Sequence, residues 1–215
     1  MKKYELTKET VTISEKTLYR IRAVRDFGSV KTGDLGGYIE KEENLSHFGN
    51  AWVSGNAWVF DNARVYDNAW VFGNAWVFDN ARVYDDTWVY GNARVYDNAW
   101  VFGNAWVFGN ARVYDDAWVC GDAKVYGDAW VSGNAEVFNT RHFFVQGPIG
   151  SRNGFITFYR TKDNTVEVKC GCFLGSLQEF VNQVEKTHKG NKYEKEYKLA
   201  AELAKVCIRL EGKSK

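Results

Sequence analysis

The sequence predicts a mainly β protein, a parallel β-helix of about five triangular coils with an N-terminal β cap and a small C-terminal α+β domain. The main observation is a six-residue unit, Val-x-(Gly/Asp)-(Asn/Asp)-Ala-x, which recurs fifteen times without insertion or deletion from Val53 to Val137. The second is a change of composition on both sides of this run. We therefore expect a cap at residues 1–47, a repeat stem at 48–138 and a C-terminal domain at 139–215.

The N-terminal segment is expected to close the first coil, because the open edge of a stacked solenoid needs a cap. The sequence TLYRIRAV at 17–24 alternates as a strand does, and three glycines within 33–37 supply turns before the stem. When the repeat is extended backwards, His47 falls on a valine position and Leu45 on an alanine position. We expect this histidine to be a structural residue at the mouth of the coil.

Within the repeat, small and large side chains alternate, so each unit forms a short strand with one face inside. The tryptophan position decides which face points out, because charged side chains occupy it in six units. These residues are Arg64, Arg82, Arg94, Arg112, Lys124 and Glu136. Burying such ions without partners would be strongly destabilising. Valine and alanine are therefore expected to line the interior, and the aromatic rings to point outward.

Each short strand is followed by Gly or Asp and then by Asn or Asp, residues that tolerate tight or left-handed turns. Three such corners give a coil of eighteen residues and a stem roughly 24 Å long at the usual spacing of ~4.8 Å. Successive coils should pair in parallel, with asparagines stacked along the corners.

One side of the predicted stem is aromatic almost throughout, and it is expected to be an interface for self-association or for a protein partner. Its residues are Trp52, Trp70, Trp88 and Trp106, with Phe72, Tyr90 and Phe108 beside them. Two alternatives remain: the rings stack only to stiffen the coil, or they form a flat platform for the bases of a ligand.

The C-terminal segment reads as three strands, HFFVQ (142–146), GFITFYRT (154–161) and TVEVKCGCF (165–173). Ser176 and Glu179 form a capping box that opens a helix, and a second helix is expected at about 192–210. The CGC sequence is expected to lie in a strand.

Composition and charge argue against several classes of protein. The formal net charge is +1, so nothing global indicates a nucleic-acid partner. The stem carries five Lys/Arg against eleven Asp/Glu, and residues 139–215 carry fourteen against eight, which indicates two surfaces of opposite sign. No apolar run is long enough to cross a membrane, and the N-terminus lacks a secretory pattern. The four cysteines show no disulfide pattern, which favours a reduced, cytosolic compartment.

The repeat resembles the hexapeptide repeat of left-handed parallel β-helices, which are common among acyl- and acetyltransferases. There the aliphatic residue and the small residue four places later line the interior, as Val59 and Ala63 would here. The resemblance implies left-handed winding, an exception to the usual crossover rule. The chain departs from the family in the position after valine, which holds Phe or Tyr, and in Thr87, which replaces an alanine.

The order of segments also resembles proteins widespread in bacteriophages and prophages, often labelled transferases or polymer-forming proteins because of the repeat. The resemblance extends from IRAVRDFGSVKTGDLGGYIE through the repeats to GPIGSRNGFITFYRT and CGCFLGSLQEFV. This resemblance implies a phage-encoded accessory protein, in the host cytosol, that interferes with a host defence system.

One loop could hold an anion. The glycines of GPIGSRNG, with Ser151, Arg152 and Asn153, could cradle a phosphate, with Arg160 or Lys162 nearby. The alternative is a turn that needs Gly and Asn for its backbone angles alone.

Three functions are therefore compared. We expect first a non-catalytic, homo-oligomeric scaffold that binds a protein partner. The alternative is a protein that sequesters a small anionic ligand, such as a signalling nucleotide. The second alternative is an acyltransferase, which needs a histidine as general base and a loop ejected from the coils. The stem ejects no loop, and no histidine lies between His47 and His142. We expect no catalytic residues, cofactor or metal site.

Overall fold

A computed structural model describes residues 2–210 of the chain. It is a mainly β protein: a β-solenoid of about six turns, a small antiparallel sheet and two C-terminal helices. Among residues 2–210, no helix is long and apolar enough to cross a membrane.

The N-terminal strands form a hairpin that continues into one side of the solenoid. Strands β1 (Tyr4–Ile13) and β2 (Lys16–Ala23) are antiparallel, and β2 pairs with β3 (Leu35–Ile39). Strand β3 then pairs in parallel with the stem through Tyr38–Trp58 and Ile39–Val59. The segment expected to be a strand thus forms β2, and the cap shares a sheet with the stem.

The first turn of the solenoid does not follow the eighteen-residue register. Leu45 forms a parallel bridge with Val65, so it takes the position of a valine, twenty residues before its partner. The prediction that Leu45 lies on an alanine position and His47 on a valine position is therefore wrong. The ring of His47 instead stacks on Tyr4, with the centroids 4.3 Å apart. Ile39 and Leu45 are six positions apart, as in the stem, so the two additional residues lie between Leu45 and Val53.

The stem consists of two-residue strands, one in each repeat, and each strand holds the residue at the tryptophan position and the following valine. The strands are β4 (Trp52–Val53), β5 (Trp58–Val59), β6 (Arg64–Val65), β7 (Trp70–Val71), β8 (Trp76–Val77), β9 (Arg82–Val83), β10 (Trp88–Val89), β11 (Arg94–Val95), β12 (Trp100–Val101), β13 (Trp106–Val107), β14 (Arg112–Val113), β15 (Trp118–Val119), β16 (Lys124–Val125), β17 (Trp130–Val131) and β18 (Glu136–Val137). Each pairs in parallel with the strand eighteen residues away, as β10 does with β7 and β13. Three parallel faces result.

Valine and alanine line the interior of the stem, as predicted. From Val71 to Val137 every repeat valine is 0% exposed, and so are the repeat alanines of that run. Thr87 replaces one alanine, and its buried hydroxyl donates to the carbonyl of Tyr84 at 2.6 Å. The aromatic rings lie outside, in stacks such as Phe72–Tyr90 at 4.8 Å.

The corners are built as the sequence predicts. Gly91 and Asp97 both have a positive φ, +74° and +55°. Asparagine side chains stack from coil to coil, each amide nitrogen donating to the next side-chain oxygen, as Asn74 does to Asn92 at 3.2 Å. These ladders satisfy polar groups that would otherwise compete with the coil's backbone.

The C-terminal domain has four strands, where the sequence predicted three. Strands β19 (Phe143–Ile149), β20 (Gly154–Arg160), β21 (Val166–Cys170) and β22 (Phe173–Ser176) form one antiparallel sheet. Gly171, at φ +57°, turns the chain inside the CGC sequence, so the predicted third strand is divided. Cys172 therefore lies in a turn, and the prediction that places it in a strand is wrong.

Two helices cover this sheet. Helix α1 (Leu177–His188) begins at Ser176, where the predicted capping box with Glu179 is formed. Helix α2 (Lys192–Cys207) begins at Asn191, whose side chain accepts from Tyr193 N and Glu194 N. Their buried faces and the sheet enclose a second core that includes Phe158, Val168 and Phe180.

The sheet sits on the last coil of the stem. The backbone N–H of Trp130 donates to Oγ1 of Thr157 at 3.1 Å, and Ala135 bridges to Thr161. Arg160 donates to the carboxylate of Glu136 at 2.7 Å and is only 5% exposed. These contacts bring the β19–β20 turn and helix α1 beside the last coils.

Candidate ligand-binding cleft

A cleft of about 920 Å³ lies where the last coils of the stem meet the C-terminal domain. The stem contributes Arg112 and Trp130, and the β19–β20 turn contributes Ser151 and Arg152. Strand β21 and helix α1 complete the walls, with Lys169 among the lining residues. A cleft of this volume falls within the usual range of small-molecule sites.

Two cations stand over one aromatic ring in this cleft. The guanidinium of Arg112 lies 4.7 Å from the ring centroid of Trp130, and Nζ of Lys169 lies 5.5 Å from the same ring. Arg112 is placed there by the parallel register that pairs it with Trp130. Lys169 comes from the other domain, on β21, so the pair of cations exists only because the sheet packs on the stem.

These cations are not neutralised by neighbouring acids. Within residues 2–210 the ion pairs of the C-terminal domain involve Arg160, Lys198 and Lys205, not the cations of the cleft. Asp128 is the acid among the lining residues, against the three cations Arg112, Arg152 and Lys169. The cleft therefore carries an excess of positive charge.

The β19–β20 turn is held against helix α2 by its glycine. The N–H of Gly150 donates to Oε2 of Glu196 at 2.8 Å. A Cβ atom at Gly150 would lie 1.8 Å from the hydroxyl of Tyr197, so a larger residue would push the turn away from the helix. This contact positions Ser151 and Arg152 at the mouth of the cleft.

Aromatic and weakly polar groups form the rest of the lining. Phe155 is 38% exposed and Phe173 is half-buried, and both line the cleft. Burial raises the pKa of the Cys170 thiol and of the Tyr197 hydroxyl, which lie close together. Both groups are therefore neutral at neutral pH and add no negative charge. His188 packs near Tyr197, with the ring centroids 5.5 Å apart.

The structure separates the residues that the sequence proposed for anion binding. Ser151 and Arg152 line the cleft, and Asn153, at φ +47°, lies in the same turn. Arg160 is placed elsewhere, over Phe138 beside Glu136, and Lys162 lies over Trp118 at 4.7 Å. The expectation that these two cations lie beside the turn is wrong, because the sheet directs them to the end of the stem.

Sequence reasoning missed Arg112, Trp130 and Lys169 as residues of this site. The eighteen-residue period of the sequence already places Arg112 beside Trp130, so this pair was predictable from the repeat. No sequence pattern marks Lys169, because its approach to the ring depends on how the two domains pack.

The tryptophan-rich side of the stem is only partly a free surface. Trp52 is 2% exposed, since Phe27 and Tyr4 of the cap pack against it at 5.3 and 6.4 Å. The prediction that Trp52 is an interface residue is therefore wrong. Trp88 is 42% exposed and stacks on Trp106 at 5.1 Å. The remaining predicted residues, Trp70, Phe72, Tyr90 and Phe108, are half-buried.

Within residues 2–210, no group of three or more His, Cys, Asp or Glu side chains is arranged to hold a metal ion.

The fold and this cleft define a β-solenoid protein with a basic, aromatic-lined site at one end. Comparison with protein families finds similarity to the YdcK β-solenoid repeat at residues 63–78, 75–91, 89–103, 93–108 and 105–121. These matches lie in the stem and do not reach the cap or the C-terminal domain. No curated protein matches the chain.

Proposed function

We propose that this protein is a non-catalytic binding protein that holds a small anionic ligand with a planar ring in the cleft. The observation that carries the proposal is the pair of cations, Arg112 and Lys169, over the ring of Trp130. Arginine donates to phosphate or carboxylate oxygens in a bidentate fashion, and the half-buried lysine adds a point charge.

The walls favour a ligand that is both charged and aromatic. Phe155 and Phe173 offer ring faces for stacking, while Arg152 at the mouth adds a further cation. A nucleotide combines these two properties, with a base to stack and phosphates to bind. Sequestration of a signalling nucleotide is therefore the form of the proposal that fits the lining best.

The same lining favours binding over catalysis. A nucleophilic thiol needs a lowered pKa, whereas burial raises the pKa of Cys170. Tyr197 is shifted in the same direction, away from the range of a general base. An acyltransferase thus remains the weakest of the three proposals.

Titration calorimetry tests the proposal. The probes are adenine and guanine mononucleotides in linear and cyclic form, with inorganic phosphate and adenosine as partial ligands. We expect a nucleotide to bind about tenfold or more tightly than either partial ligand, since each partial ligand lacks one set of contacts. Protein purified from its host should also release a UV-absorbing small molecule on denaturation.

A matched pair of variants identifies the site. Arg112→Met removes the charge in the cleft, and Arg94→Met removes the neighbouring cation of the same column, which lies over Trp76 outside the cleft. We expect Arg112→Met to weaken binding about tenfold or more and Arg94→Met to leave it unchanged. Absence of binding to every probe, or equal losses in both variants, would refute the proposal.

The exposed side chain of Trp88 supports a second candidate, a scaffold that binds a protein partner. Trp88 is 42% exposed on a side whose neighbouring positions, Trp70 and Trp106, carry no charge. If this face binds a partner, Trp88→Glu should abolish capture of a defined host protein, and Arg82→Glu on another side should not. Equal capture by both variants would count against it.

We also propose the finer identity that the repeat suggests: left-handed winding in triangular coils of the hexapeptide type, and a phage-encoded protein acting in the host cytosol. The unbroken eighteen-residue register of the stem supports the triangular coils, and the left-handed winding rests on the resemblance to the hexapeptide repeat. Such a protein would interfere with host defence by withholding a ligand that a defence enzyme needs. Expression in a host that carries a nucleotide-signalling defence system should restore phage growth, and Arg112→Met should not.

A further inference from the structure

Four aspartates end asparagine ladders of the stem, and one of them lies in the cleft. In each ladder an asparagine amide donates to the side chain eighteen residues later, and the last acceptor is a carboxylate. These aspartates are Asp86, Asp116, Asp122 and Asp128. A carboxylate suits the end of a ladder because it accepts the last amide and needs no acceptor of its own. Asp128 is the one among them that lines the cleft.

Asp128 also differs from the other three in burial. Those three side chains are exposed, whereas Asp128 is half-buried. Its Oδ1 accepts from the amide of Asn110 at 2.8 Å, and within residues 2–210 no hydrogen bond to its Oδ2 is formed. Asp128 therefore brings an acceptor oxygen without a donor to the lining of the cleft. Such a group, partly removed from water, is stabilised by a donor that a ligand supplies.

The charge of this carboxylate restricts which part of an anionic ligand can contact it. An ionised aspartate accepts hydrogen bonds and donates none, and it repels a phosphate. Arg112 and Lys169, over the ring of Trp130, are the groups that attract the phosphate. Asp128 must therefore meet a part of the ligand that carries O–H or N–H donors.

The position of Asp128 on the coil favours the sugar of a nucleotide over its base. Asp128 precedes Trp130 by two residues, so their Cα atoms are at most about 7 Å apart. Its ladder partner, Asn110, precedes Arg112 by the same two residues. The carboxylate is thus a close neighbour of the cations that attract the phosphate. In a nucleotide the ribose is bonded directly to the phosphate, and the donor edge of the base lies on the far side of the sugar.

We propose that Asp128 accepts a hydrogen bond from the 2′-hydroxyl of a ribonucleotide, which makes the cleft selective for ribose over deoxyribose. This inference rests on the proposed function, because it assigns one residue of the same cleft. The 2′-hydroxyl is free in both linear 5′-nucleotides and 3′,5′-cyclic nucleotides, whereas the cyclic forms lose the 3′-hydroxyl to the phosphodiester. A site that binds a hydroxyl discriminates against the analogue without it, because its acceptor is then left unpaired.

Titration calorimetry with matched nucleotides tests the proposal. The probes are adenosine and guanosine 5′-monophosphate and 3′,5′-cyclic AMP, each compared with its 2′-deoxy form, and 3′-deoxyadenosine 5′-monophosphate. We expect each ribonucleotide to bind about tenfold more tightly than its 2′-deoxy form. The 3′-deoxy nucleotide should bind as tightly as adenosine 5′-monophosphate.

A pair of variants assigns this discrimination to Asp128. Asp128→Ala and Asp116→Ala each remove the carboxylate that ends a ladder, so they impose the same loss on the stem, but Asp116 lies outside the cleft. Asp128→Ala should abolish the preference for ribose. The same variant should bind inorganic phosphate more tightly, because a negative charge is removed from the cleft. Asp116→Ala should keep both the preference and the phosphate affinity of the wild-type protein.

Three results would overturn the proposal. The first is equal affinity of the wild-type protein for ribose and 2′-deoxy forms; the proposed function would still stand if Arg112→Met weakened both. The second is a ribose preference that persists in Asp128→Ala, and a guanine or adenine preference lost in that variant instead would assign Asp128 to the base. The third is a wild-type protein that binds no nucleotide, which would remove the proposed function as well.

Discussion

The guanidinium of Arg112 lies 4.7 Å from the ring centroid of Trp130, the residue directly beside it on the next coil. The same relationship recurs along the stem, as between Arg82 and Trp100 at 4.7 Å. Cation–π contacts of this kind stiffen the coils. At the end of the stem the second domain brings Lys169 to the same ring, so a structural contact becomes part of a basic cleft.

Ligand affinity should depend on Arg152. Removal of its charge in Arg152→Ala should weaken nucleotide binding about 3- to 10-fold, because an exposed cation at the mouth of the cleft contributes less than the half-buried Arg112. Lys162→Ala is the control, since Lys162 lies over Trp118 outside the cleft. Calorimetry at low and high salt checks both. Equal loss in the two variants would mean that general charge, and not the cleft, governs affinity.

Stability should rise with pH above 8 because of Lys3. Its Nζ is buried and donates to the carbonyl of Ala51 at 2.6 Å, and burial, with the nearby Arg25, lowers the pKa of Lys3 to about 8. The unfolded chain keeps this proton up to its ordinary value near 10.5. The free energy of unfolding should therefore increase between pH 8 and about 10, by at most about 1.4 kcal/mol per unit.

Urea unfolding at several pH values measures this slope. Lys3→Met should flatten it, because the titrating group is gone. Above about pH 10 the raised pKa of the buried Tyr4 acts in the opposite direction, since the unfolded phenol loses its proton first. A slope that persists unchanged in Lys3→Met would contradict the assignment.

Replacement of Asp97 by asparagine should stabilise the stem. Asp97 stands in a column with Asp79 and Asp115, and burial, together with these charges, raises its pKa. Asparagine tolerates the φ of +55° at this corner and removes the charge. The gain in Tm should be present at neutral pH, decline as the pH falls through the raised pKa of Asp97, and vanish below the ordinary pKa of 3.8, where the carboxyl is neutral in both states. Asp122→Asn, on an exposed ladder, is the control and should change Tm little.

Gly91 should not tolerate alanine. It has a φ of +74°, and an added Cβ would lie 3.1 Å from the backbone of Gly109 on the next coil. Gly127 has a similar φ of +67° but nothing within 4 Å of the added atom. Gly127→Ala should thus show the conformational strain alone, about 1 kcal/mol, and Gly91→Ala should be destabilised further. Equal losses by thermal unfolding would show that coil spacing adjusts freely.

The sequence by itself determined the stem: its strands, its interior of valine and alanine, and its corners, because each of these follows from contacts repeated every six or eighteen residues. Ser176 and Glu179 likewise predicted the start of α1 correctly, since a capping box is an interaction between residues close in sequence. Outside the regular six-residue repeat, prediction from the sequence was less accurate. Leu45 entered the first turn two residues away from the expected register, and a single glycine, Gly171, divided a predicted strand.

Only the tertiary structure decided which outward residues are free and which form a site. The cap buries Trp52 beneath Phe27, although its position in the repeat is identical to that of the exposed Trp88. The packed sheet brings Lys169 to Trp130 and takes Arg160 away to Glu136. These outcomes depend on contacts between residues distant in sequence, and no local period encodes such contacts.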